Sequence, residues 1–152
     1  MRVDIWSDVV CPFCYIGKKR LEKAATEAGV ELEVHWHSYQ LDPEAPVRQE
    51  VSNSERLAQK YGRTLAEVEE MQRNIAAMAK EEGIEFNWEG ANSGNTFNAH
   101  RLIHLAQSKG LGSEAKEAFF FSYMTQGLAI GERETIEDVA SRIGLNPVEV
   151  DD

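Results

Sequence analysis

Two stretches near the start of the chain alternate with the two-residue period of a strand, and a helical pattern lies between them. Val3 and Ile5 alternate with Arg2 and Asp4. VELEVHWHSY then puts Val30, Leu32, Val34 and Trp36 on one face and Glu31, Glu33, His35 and His37 on the other. From Pro12 to Ala28 the pattern is helical, with Leu21, Ala24, Ala25 and Ala28 on one side. Pro12 suits a first helical turn, where its missing N–H leaves nothing unpaired, and Gly29 suits the stop. A crossover of this length joins parallel strands with a right-handed connection. The chain therefore opens as β-α-β.

After QLDPEAP the character turns helical. A short helix is expected over Ser54–Tyr61, and Thr64 with Glu67 forms a capping box for a longer one whose stripe is Val68, Met71, Ile75, Met78 and Ala79. Ile84, Phe86 and Trp88 alternate briefly. Thr96, Ser113 and Thr135 stand where caps of three further helices are expected, with Gly110, Gly127 and Gly144 as stops. Of the three rings Phe119, Phe120 and Phe121, the reading gives core plus one facing a cleft. Asn146, Pro147 and Glu149 spell the start of one more helix, about two turns before the last residue. Two strands make a marginal sheet. Together these features predict that the sequence belongs to a longer protein.

The bulk numbers exclude some functions. Sixteen basic against 26 acidic side chains give a net charge of −10, which leaves no cationic excess for nucleic acid or an anionic membrane. No apolar run approaches a membrane span. Asp4 and Asp8 interrupt what would have to be the apolar region of a signal peptide, so a cytoplasmic location is expected. No glycine-rich phosphate loop occurs. Oligomeric state has no signature in the sequence.

The only two cysteines, Cys11 and Cys14, stand in SDVVCPFCYIGK at the predicted start of the first helix. Free N–H groups and the positive dipole end there favour thiolate over thiol. The expected roles are asymmetric, with Cys11 the exposed attacking thiol and Cys14 the buried resolving one. Pro12 stiffens the turn, and Phe13 adds bulk without charge. Two other readings stay open on spacing alone. The cysteines could simply pack, or could join histidines around zinc, since His35 with His37 and His100 with His104 form pairs. Against zinc, 85 residues separate Cys14 from His100.

SDVVCPFCYIGK, VHWHSYQLDPEAP and NTFNAHRLIHLA, in that order along essentially the whole chain, resemble the FrnE-like branch of the DsbA family. The resemblance implies a thioredoxin-like α/β fold with a large all-α insertion. It implies residues 1–41 as the N-terminal β-α-β part, 42–144 as the helical insertion, and 145–152 as a helix leading back to the thioredoxin half. Members continue to a cis-proline loop, a strand pair and a last helix; Pro43, Pro46 and Pro147 do not stand in such a context. The implied activity is thiol–disulfide exchange or isomerisation through Cys11 and Cys14, supported by Pro12 and Phe13. Trp36, Asn95, Phe97, His100 and Arg101 become candidates for the substrate cleft, with no metal. No bound cofactor is implied, with glutathione as a co-substrate and a protein or small thiol or disulfide as partner. Glutathione-dependent isomerases of the 2-hydroxychromene-carboxylate type and kappa-class glutathione transferases are relatives with one serine-like position where Cys11 stands. The second cysteine favours dithiol exchange. A non-catalytic zinc- or peptide-binding module is the remaining alternative.

Overall fold

The computed structural model describes residues 1–151. Strand β1 (Arg2–Ser7) leads through helix α1 (Pro12–Ala28) to β2 (Glu33–Ser38). The strands pair in parallel, from Arg2 opposite Glu33 to Ser7 opposite Ser38. Helix α1 stops at Gly29, whose φ of 65° lets its own N–H and that of Val30 turn back onto Thr26 and Ala25 carbonyls. The remaining elements are α2 (Asn53–Tyr61), α3 (Leu65–Glu81), a single 3-10 turn (Trp88–Gly90), α4 (Phe97–Ser108), α5 (Gly112–Phe120), α6 (Arg133–Arg142) and α7 (Pro147–Asp151). A widened π turn over Phe121–Thr125 continues α5.

The capping boxes at Ser52–Glu55 and Thr64–Glu67 both form, each satisfying two otherwise orphaned donors. The Asn146 cap forms too, accepting from the Val148 N–H at 3.0 Å, but the caps expected at Thr96, Ser113 and Thr135 are replaced. Helix α4 begins with the Phe97 N–H donating to Asn95 Oδ1 at 2.9 Å, and Thr96 is buried. Helix α5 begins before Ser113, whose Oγ instead accepts the indole N–H of Trp36 at 3.1 Å. Burying that indole requires an acceptor, and Ser113 meets the need. Thr135 lies inside the first turn of α6 and donates to the Ala129 carbonyl at 2.7 Å. Ile84 and Phe86 are buried, but their segment has no partner strand; its Asn87 N–H bonds the Met124 carbonyl.

One continuous core joins the sheet to the helices. Trp36 of β2, Tyr15 and Ile16 of α1, and Phe119 and Phe120 of α5 belong to the same buried cluster as residues of α3, α4 and α6. Tyr15 stacks on Phe120 with ring centroids 4.9 Å apart. Helices α1 and α5 are also tied by Glu117, which accepts from Tyr15 Oη at 3.1 Å and from Lys18 Nζ at 2.8 Å. Phe121 does not face a cleft at the cysteines. It is partly exposed beside Lys18, Lys19 and Glu114 instead.

Candidate active site

Cys11 is the N-cap of α1, with extended backbone (φ −97°, ψ 110°), and Pro12 opens the first turn. The Cys14 N–H closes that turn on the Cys11 carbonyl at 3.1 Å. Both thiols are free and half-buried, so Cys11 is less exposed than its expected role implied. The reason is local: Cys14 packs on the core, while Cys11 lines a cavity partly roofed by Phe13, which is 56% exposed.

The sulfurs differ electrostatically. A hydrogen bond from Cys14, then the N–H groups of Cys14 and Phe13, bring Cys11 down to about 6 against the opposing effects of burial and Asp8. The proton shared with Cys11, and then burial, push Cys14 up. Charge therefore resides on Cys11 and the proton on Cys14. Alkylation of Cys11 by iodoacetamide, followed by mass, is expected to titrate near pH 6; a midpoint at the ordinary cysteine value of about 8.5 would contradict the arrangement.

Two buried charges frame the thiols. Asp8 is 2% exposed, and its carboxylate accepts from the Val9 N–H at 2.8 Å, the Leu41 N–H at 2.8 Å and His100 Nε2 at 3.0 Å. Burial alone would raise its pKa, but the bonds from His100 and Leu41 outweigh it and hold the carboxyl below its usual value. Lys116 of α5 is 1% exposed. Its Nζ lies 3.3 Å from the Ser7 carbonyl and 5.4 Å from the centroids of both Trp36 and Phe120. No carboxylate among the described residues reaches it as an ion pair. Burial brings it down to about 8, against the pull of Asp8 and both cysteines.

The cavity beside Cys11 has a volume of about 200 Å³. Pro12 and Phe13 form one wall, Arg56 and Leu57 of α2 another, and Gln72 and Ile75 of α3 a third. Loop 42–47 and the segment from Ser93 close it. Gly94 and Gly131 both abut the Val47 carbonyl, where a Cβ on either would stand 2.1 Å from the oxygen. Asn95 fastens the same loop, donating to the carbonyls of Pro43 at 3.1 Å and Ala45 at 2.9 Å.

The candidates named from sequence fall in different places. Pro12 and Phe13 line the cavity. Trp36 is buried beneath the site and flanks Lys116; His100 holds Asp8; Asn95 holds the wall. None of these three lines the cavity. Phe97 is exposed and also outside its lining, and Arg101 faces a separate groove with Gly131 and Arg133. His35 bonds Glu33, His37 bonds Asp4 and stacks on Trp6, and His104 bonds Ser38. Among the described residues no three histidine, cysteine or carboxylate groups gather as metal ligands. Asp8, Lys116, Arg56 and Gln72 were missed. Only Asp8, three residues before Cys11, carried a signal of position.

A parallel β-α-β unit with a Cys-x-x-Cys pair at the N-terminus of its helix defines a thioredoxin-like protein. Residues 2–152 match the DSBA-like thioredoxin domain, and the chain belongs to that family. It is similar to the crystal structure of a probable DsbA oxidoreductase from Streptomyces coelicolor, with a TM-score of 0.91 and 32% identity, covering 99% of this chain and 66% of that one. The uncharacterized protein YwbO of Bacillus subtilis (strain 168) is 25% identical over 147 residues, 96% of this chain and 68% of that protein. The chain thus spans about two thirds of the length of either relative. The cytosolic disulfide reductase DsbM from Pseudomonas aeruginosa shares the fold at a TM-score of 0.67 and 17% identity, covering 99% of this chain and 68% of that one. So does a 2-hydroxychromene-2-carboxylate isomerase, at 0.66 and 15%, covering 99% and 70%. No helix among the described residues is long and apolar enough to cross a membrane.

Proposed function

We propose that this protein is a thiol–disulfide oxidoreductase in which Cys11 attacks a disulfide and Cys14 resolves the mixed disulfide. The observation that carries this reading is the placement of the two cysteines at the start of α1, with Cys11 as the N-cap on the cavity and Cys14 one turn on, packed against the core. The lowered pKa of Cys11 and the raised pKa of Cys14 fit an attacking and a resolving thiol. Family membership and the similarity to a probable DsbA oxidoreductase support it. The partner in this reading is a protein or a small thiol or disulfide, and neither nucleic acid nor membrane, in keeping with the net charge of −10. Glutathione serves as co-substrate, and no bound cofactor is called for. A cytoplasmic site of action is supported by the cytosolic reductase that shares the fold.

The test is intact mass after thiol alkylation across glutathione redox buffers. The wild type is expected to lose two thiols together at one midpoint. Cys14→Ser is expected to accumulate a mixed disulfide at Cys11, and Cys11→Ser to form none. Independent oxidation of the two thiols, or a Cys14→Ser protein that turns over as fast as wild type, would refute the dithiol reading. The second of those results would favour glutathione-dependent isomerisation.

A further inference from the structure

The cavity beside Cys11 contains two polar groups whose hydrogen-bonding capacity the fold leaves unused. Gln72 is 2% exposed and lines the cavity, and its Nε2 has no hydrogen-bond partner among the described residues. Leaving a buried amide donor unmade costs about 1–3 kcal/mol, so a fold seldom retains one without another use for it. Among the described residues Arg56, half-buried on the same cavity, bonds only Asn53 Oδ1, at 2.9 and 3.3 Å, and has no carboxylate partner. Arg101 is in the same position on its own groove; what distinguishes Arg56 is its place on the cavity that Cys11 lines, together with Lys60. The lining also includes apolar Val10, Pro12, Leu57, Ile75 and Phe86, a second cation, Lys60, and two carboxylates, Asp42 and Asp8, of which Asp8 is already engaged by Val9, Leu41 and His100.

Resting on the dithiol reading above, we propose that the substrate is a small organic disulfide whose apolar arm ends in a carboxylate. The arm fills the cavity, the carboxylate pairs with Arg56 and accepts from Gln72 Nε2, and the disulfide lies at Cys11. About 200 Å³ is room for roughly six waters' share of liquid volume, which suits one such arm and excludes a folded polypeptide. Gln72, 2% exposed, is reached only by a group that enters the cavity.

The chemistry balances without a further reagent in a single turnover. The Cys11 thiolate attacks one sulfur of R–S–S–R; a Cys11–S–R bond forms, the substrate S–S bond breaks, and RS⁻ leaves to take a proton from water. Cys14 then releases its proton to solvent, and its sulfur attacks Cys11 Sγ. The second RS⁻ departs and is protonated. Two electrons have passed from the dithiol to the substrate, giving two RSH and the Cys11–Cys14 disulfide.

The test uses three disulfides of similar size and different charge: 3,3′-dithiodipropionate, 2,2′-dithiodiethanol and cystamine. Single-turnover oxidation of the reduced protein is followed by mass. Each rate is divided by the rate of the same disulfide with free dithiothreitol, which removes the leaving group's own reactivity. The expected order is acid, neutral, cation, with the acid favoured over the neutral disulfide by about tenfold through charge-assisted bonds. The long-range attraction of an anionic protein would give the reverse order. Arg56→Met and Gln72→Met are each expected to cut the acid preference to less than about threefold. Lys23→Gln, which makes the same change in net charge as Arg56→Met at an exposed site on α1, is expected to keep it. Gln72→Met should melt no lower than wild type, since it removes an unmade donor; a clear drop would assign Gln72 to packing and overturn its role. Equal corrected rates, or cystamine fastest, would overturn the substrate class and leave dithiol exchange standing. Failure of all three disulfides to oxidise the pair would refute the dithiol reading itself.

Discussion

Lys116→Met is expected to raise the unfolding free energy by roughly 3 kcal/mol at pH 6–7 while slowing the release of a mixed disulfide from Cys11. The stability gain follows from linkage. Burial brings the Lys116 ammonium from its ordinary 10.5 down to about 8, and each unit is worth about 1.36 kcal/mol. Below pH 8 the lysine is charged in both states, and the folded state bears the full cost of burying it. Between pH 8 and 10.5 the unfolded chain holds the extra proton, so wild-type stability rises with pH across this window. Above it the lysine is neutral in both states and the cost is gone. The gain from Lys116→Met should therefore shrink through the same window, which urea unfolding of both proteins at several pH values would show. The functional loss has a separate cause. The ammonium is among the groups that pull Cys14 towards its thiolate, so its removal makes the resolving sulfur harder to deprotonate. Trapped mixed disulfide should decay more slowly in the variant, most markedly below neutral pH. A variant that is neither more stable at pH 6–7 nor slower in resolution would show that the buried charge has no role at the thiols.

Asp8→Ala should be the most damaging single change outside the cysteines, costing roughly 3 kcal/mol or more. It strands three buried donors at once: the N–H groups of Val9 and Leu41, and His100 Nε2. Asp8→Asn preserves shape and one acceptor, and should cost about half as much. The sign of the pH effect is fixed by the direction of the shift. A carboxyl held below its usual value contributes stability that is present above about pH 4 and is lost as pH falls through the folded-state value. Wild type should thus lose stability relative to Asp8→Asn as pH drops below 4. Parallel acid-unfolding curves for the two would refute the argument. Both substitutions also remove a charge that opposes the Cys11 thiolate, so Cys11 alkylation should titrate lower in any variant that remains folded.

Much of the architecture was legible because it is local. The ends of α1, the Thr64–Glu67 box and the Asn146 cap depend on residues within a few positions of one another, and the parallel pairing of the flanking strands follows from the single helix that connects them. The position of the two thiols at the helix start was legible for the same reason, whereas the expected contrast of an exposed Cys11 and a buried Cys14 is not what the fold gives, both being half-buried. What failed to show depends on partners distant in the chain. Asp8 and His100 are 92 residues apart. Lys116, flanked by alanine and glutamate, reads as one more solvated lysine until Trp36 and Phe120 are seen on either side. Gln72 occupies a core position of α3 that the apolar stripe alone would assign to no polar residue. Ser113 and Thr96 looked like caps by spacing, and tertiary demands claimed both of them.

The distances along the chain that separate Asp8 from His100, and Cys11 from Lys116 and Gln72, bear on transplantation. A loop carrying Cys-Pro-Phe-Cys grafted onto another scaffold would transfer the two sulfurs and the helix start. It would leave behind the histidine that anchors Asp8, the buried ammonium and the unmatched amide, which come from helices near and beyond the middle of the sequence. The recipient would therefore inherit a dithiol without its proton balance or its selectivity.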